Sequence, residues 1–104
     1  MRALACLAVL ALVAAGCTAG EAGTLRFHPA PAGSQAATLL SAQTLQQLSA
    51  PIRSAIQAAY EGRDVTIGVS QADLDAARDV LDCKGTSVFS YRDVLIACEN
   101  ARVR

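Results

Sequence analysis

Residues 89–97 read Phe-Ser-Tyr-Arg-Asp-Val-Leu-Ile-Ala (FSYRDVLIA), and the conformation they adopt decides what kind of domain the chain builds. They line up with VSQADLDAA at residues 69–77: an apolar residue, Ser, two variable positions, Asp, an apolar residue, two more, and Ala. Each copy follows a short β-rich run, VTIG at 65–68 and TSV at 86–88. If the second copy repeats the first, Ser90 caps a last helix that buries Tyr91, Val94 or Leu95, and Cys98. The alternative is a hairpin turning at Arg92-Asp93, with Val94 to Cys98 as a strand, which the β-branched content also allows. The repeat favours the helix, and with it a β-α-β-α segment.

The first copy has firmer local signals. Val65, Ile67 and Val69 alternate with Thr66 and Gly68, the pattern of a strand half buried in a sheet. Ser70 followed three residues later by Asp73 is a variant of the capping box, and Asp73 and Asp75 suit the positive end of a helix dipole. Leu74, Ala77, Val80 and Leu81 then give the helix a core face, with a stop expected near Cys83-Lys84-Gly85. Asp75, Asp79 and Asp82 share another face, but Arg78 lies among them and no calcium-loop glycine accompanies them. They read as a solvated surface and not as a metal site.

Upstream, Leu40, Thr44, Leu45 and Leu48 recur at helical spacing within residues 37–48 (ATLLSAQTLQQL). A second helix starts at Ser49-Ala50-Pro51, because Ser can cap and a first-turn Pro loses no hydrogen bond. Ile52, Ile56, Ala59 and Tyr60 form its stripe, and Gly62 stops it. The pair predicts a helical hairpin or one kinked helix. Residues 18–36 (TAGEAGTLRFHPAPAGSQA) lack periodicity, and Pro29 and Pro31 disfavour helix around them. They read as a flexible tether, at most roughly 60 Å long when fully extended. Leu25-Arg26-Phe27-His28 is an apolar and basic island within it, short enough to arise by chance, and His28, the sole histidine, is expected to be solvated there.

Ahead of the tether, Met1-Arg2 supplies a positive start, and residues 3–15 (ALACLAVLALVAA) hold no charge, Gly or Pro. About thirteen apolar residues suit a secretory signal, which needs about 7 to 15, and fall short of the roughly 20 that cross a bilayer. Ala14-Ala15-Gly16 leads directly into Cys17, which resembles the lipobox of bacterial lipoprotein precursors, with Ala14 where Leu is commoner. The resemblance covers only this leader. It implies acylation of the Cys17 sulfur, cleavage before it and acylation of the freed amine. Thr18 in second place, where Asp would signal inner-membrane retention, points to the outer membrane, facing the periplasm. The competing reading is an ordinary signal-peptidase site with a soluble periplasmic or secreted product.

Cleavage would remove Arg2 from nine Lys plus Arg, leaving eight against nine Asp plus Glu, a formal charge of minus one. Net charge therefore suggests neither a nucleic-acid partner nor an acidic lipid surface. With Cys6 removed and Cys17 acylated, Cys83 and Cys98 remain in an oxidising compartment, and a disulfide between them is the expected outcome. There is no Cys-x-x-Cys of a dithiol oxidoreductase and no zinc ligand set.

These readings predict an α+β fold with three parts: a signal peptide at 1–16, acylated Cys17 and tether at 17–36, and one small disulfide-stapled domain at 37–104. That domain would comprise an N-terminal helical hairpin followed by the β-α-β-α segment. The expected function is that of a non-enzymatic envelope lipoprotein without a cofactor, binding another envelope protein through an Ala/Leu/Gln helical face or an exposed strand edge. The alternative is a soluble or anchored periplasmic inhibitor or immunity-type protein, inserting a loop such as Cys83 to Ser90 into its target. A hydrolase would need a nucleophile and a base, and the only histidine falls in the expected tether.

Overall fold

The chain reverses at Arg92 and Asp93, whose φ angles of 51° and 68° put both residues in the left-handed region. Two such residues in succession cannot lie within a right-handed helix, but they make the tight turn whose twist matches that of paired strands. Residues 89–97 are therefore a hairpin, and the last helix expected from the repeat is not formed. Asp93 aligns with Asp73, which lies in the first turn of a helix. Asp93 acts instead as one of the few non-glycine side chains tolerated in a left-handed turn.

The computed structural model describes residues 22–101. In chain order the elements are β1 (Gly23–Pro29), β2 (Thr38–Leu39), α1 (Ala42–Leu45), α2 (Ala50–Tyr60), β3 (Val65–Val69), α3 (Gln71–Leu81), β4 (Thr86–Tyr91) and β5 (Val94–Ala101). The five strands form one mixed sheet in the order β2-β4-β5-β1-β3. β1 is antiparallel to β3 and β5, β4 is antiparallel to β5, and only β2 pairs in parallel, with β4.

The expected tether is corrected by β1. Leu25 and Phe27 are fully buried while Arg26 between them is exposed, so the Leu-Arg-Phe-His island is a strand with one face in the core. It lies between β5 and β3. Pro29 is its last residue, so the proline pair ends the strand without excluding it. Gly23 lets α3 come close: a Cβ there would meet the Leu74 side chain at 3.3 Å.

The N-terminal helical hairpin is also absent. The Ala37 and Leu40 amides donate to the carbonyls of Val88 and Ser90, both at 2.8 Å, so this backbone extends β4's ladder instead of coiling. Ser41 then caps the four-residue α1, its Oγ accepting from the Thr44 amide at 3.1 Å. Leu40 and Leu48 reach the core as the spacing implied, from a strand end and a turn. α2 begins at the expected place, with Pro51 in its first turn, and buries Ile52, Ala55, Ile56 and Ala59. Gly62 follows its end at φ 91°, a conformation that favours glycine. α3 is capped by Ser70, whose Oγ accepts from the Asp73 amide at 3.2 Å, and buries Leu74, Ala77 and Leu81.

Strand alternation divides the sheet into two faces. Leu25, Phe27, Val69, Phe89, Tyr91, Ile96 and Cys98 point to the side where Ile52, Ile56, Leu74 and Leu81 of α2 and α3 complete the core. Arg26, His28, Thr66 and Glu99 lie on the other face. The result is one compact α+β domain, a five-stranded sheet with three helices. Gly23 pairs with Val69 and Thr24 with Ala101, so residues 22 and 101 lie at one end of the sheet and the Arg92-Asp93 turn lies at the other.

Two substitutions test these corrections. Phe27→Ala should cost about 3–5 kcal/mol in urea unfolding, where a tether residue would cost nothing. Asp93→Gly should leave stability unchanged or raise it by up to about 1 kcal/mol, because glycine adopts the left-handed turn freely. In a helix the same change would instead destabilise, by about 0.3 kcal/mol from propensity alone.

Candidate functional site: an arginine-lined cleft and a buried disulfide

α1, the start of α2 and the tip of the β4–β5 hairpin enclose a cleft of about 470 Å³ lined by Ala42, Leu45, Gln46, Arg53, Tyr91 and Arg92. Its volume falls within the range of ligand pockets, and its mouth is open to solvent. Each side chain is placed by a local feature. Arg53, in the second turn of α2, is partly buried, and its Nη1 donates to the carbonyl of Leu48 in the α1–α2 link. Tyr91 ends β4 almost fully buried, its ring edge-on to Tyr60 with centroids 5.6 Å apart. Arg92 leaves the strand in the left-handed conformation, with its guanidinium carbon 5.2 Å from the Tyr91 ring centroid, a cation–π contact. The cleft thus combines two guanidiniums and an amide with the apolar surfaces of Leu45, Ala42 and Tyr91. Its lining residues include no acid.

A second cluster occupies the other face of the sheet. Arg26 lies 3.4 Å from Asp64 and 3.8 Å from Glu99, and His28 Nε2 contacts Glu99. His28 is therefore a strand residue with only 15% of its side chain exposed, not a solvated tether residue. Its Nδ1 faces the carbonyl oxygen of Pro29 at 3.1 Å, so both ring nitrogens meet oxygens of the protein itself. The Arg26 pairs are solvent-exposed, and such pairs contribute about 0–1 kcal/mol. Among the described residues, no group of three or more His, Cys, Asp or Glu side chains is placed to hold a metal ion. Asp75 accepts from Gln71 Nε2 at 2.8 Å and pairs with Arg78 at 3.6 Å, while Asp82 ends α3 in the left-handed region.

Of the residues singled out from sequence, Cys17 lies outside the described residues. Cys83 and Cys98 form a disulfide, both fully buried, which ties the chain just after α3 to β5. The cleft itself escaped the sequence reading. Arg53 and Arg92 stand far apart in the chain and meet only because 89–97 is a hairpin. An Arg beside a Tyr at a possible turn was the one available signal.

Replacing Cys83 with Ser should lower stability by roughly 3 kcal/mol, since a bridge closing a loop of this size is lost and a hydroxyl takes a buried position. Thermal and urea unfolding of the oxidised parent and the variant check this; equal midpoints would show that the bond contributes nothing. The chain matches no protein-family model, no curated protein and no solved structure.

Proposed function

We propose that this chain is an envelope lipoprotein, anchored through acylated Cys17 to the outer membrane facing the periplasm, that binds another envelope protein and performs no catalysis. The observation that carries the reading is the buried Cys83–Cys98 disulfide, which suits an exported protein. It agrees with a leader ending in a lipobox-like Ala-Ala-Gly-Cys.

The fold changes how the module is presented. With β1 starting at Gly23, only residues 18–22 separate Cys17 from the sheet, a reach of at most about 18 Å. The domain is moored close to its anchor, not suspended on a long tether. Residues 22 and 101 share the membrane-proximal end, and the arginine-lined cleft lies at the distal end, where a partner can approach. The inhibitor reading loses support, because the Cys83 to Ser90 segment is largely strand β4 and offers only a short turn before Thr86.

Two measurements test the proposal. The native chain should incorporate radiolabelled palmitate, and Cys17→Ser should abolish the label and release the product from membranes or block its maturation. Normal processing and continued membrane association of Cys17→Ser would sink the anchored reading in favour of a soluble product. Crosslinking in intact membranes followed by pull-down should then capture a discrete envelope protein.

A further inference from the structure

Among the described residues, Arg26, Arg63, Arg78 and Lys84 each lie within 4.0 Å of a carboxylate. Within the same described residues Arg53 and Arg92 have no carboxylate within that distance, and both line the cleft. Asp93, next to Arg92 in the turn, is not part of the lining. Among the described residues, the positive charge without a carboxylate partner is thus gathered in one concavity, where two guanidiniums can form paired hydrogen bonds to oxygen anions. Beside them, Leu45 and Ala42 offer a small apolar patch, with Tyr91 forming the floor. We infer that the cleft binds an acidic peptide segment of a partner protein, the carboxylates seated on Arg53 and Arg92 and a neighbouring apolar side chain on Leu45 and Ala42.

Two features favour a peptide over a free small acid. The cleft is open to solvent, so it would leave much of a small ligand exposed, whereas sites for small molecules bury most of the ligand's surface. A chain running through the cleft gathers additional contacts along both walls. The guanidiniums are also preorganised: Arg53 is tied to the Leu48 carbonyl, and Arg92 rests against a ring held by Tyr60. Less ordering is then required when the anion arrives. The source of the peptide rests on the partner-binding role proposed above.

The test is fluorescence anisotropy with the detergent-solubilised full chain and a labelled peptide, Gly-Leu-Glu-Leu-Glu-Gly with an amidated end. Its Gln analogue and free glutarate serve as comparisons. The acidic peptide should bind at least about tenfold tighter than the Gln analogue, and Arg92→Gln should weaken it by about tenfold. Arg92 is exposed on a turn, so this variant should melt like the parent; Arg53→Gln should weaken binding similarly. Lys84→Gln makes the same change in net charge far from the cleft and should shift affinity by less than about twofold. Equal binding of the two peptides, or equal effects of Arg92→Gln and Lys84→Gln, would overturn the assignment. Glutarate competing as well as the peptide would overturn the choice of a peptide. A chain that binds the acidic peptide but carries no lipid would defeat the anchored reading alone; a lipidated chain indifferent to the peptide's charge would defeat the cleft assignment alone.

Discussion

Phe27 stands opposite Val65 on one side and Cys98 on the other, and its burial between them holds the sheet together. Among the described residues β1 is the one strand paired with β3, so without Leu25 and Phe27 in the core that ladder would be lost. α2 lies across β1, β3 and β5, and α3 approaches β1 where Gly23 leaves room for Leu74. A strand near the start of the chain thus organises elements drawn from the rest of it. Fully burying one large apolar side chain is worth about 1.5–3 kcal/mol, and in a domain this size a few such terms are a large part of the margin.

The disulfide reinforces the same place. Cys98 is the direct partner of Phe27 on β5, and Cys83 comes from the link that follows α3. The bond therefore fastens the end of α3 to the strand beside the one that organises the core. The domain has few aromatic residues and no Trp, so a covalent tie at the core compensates for limited apolar bulk.

How much of this was legible depended on whether local chemistry or distant pairing decided each element. α3 could be read because Ser70, Asp73 and the spacing of Leu74, Ala77 and Leu81 all act within the helix. β3 was visible in its alternation, and the start of α2 in Ser49 and Pro51. β1 was missed because Leu25 and Phe27 supply only two apolar positions between glycines and prolines, and its partners lie some 40 and 70 residues further along. The expected helix at 89–97 failed for a related reason. Its five matches to the earlier segment concern capping and spacing, whereas Phe89, Tyr91, Ile96 and Cys98 must share one face, an arrangement that two antiparallel strands provide. The cleft inherits that difficulty, because it exists only once the hairpin brings Tyr91 and Arg92 to α1 and α2.

The same hairpin determines what the cleft's charge would encounter in the anchored arrangement proposed above. The seven residues of β1 rise about 23 Å from the end that would receive the proposed anchor toward the end that carries the turn. Screening at physiological ionic strength reduces a surface potential over about 8 Å, so an anionic bilayer would be only weakly felt at that distance. Arg53 and Arg92 would then not be drawn onto lipid headgroups, and their charge would remain available to an acidic partner arriving from the periplasmic side. Had the domain been inverted, with the turn against the membrane, the same two side chains would read as a lipid-binding patch. It is the pairing of Thr24 with Ala101, at the end of the sheet remote from the turn, that favours the first arrangement over the second.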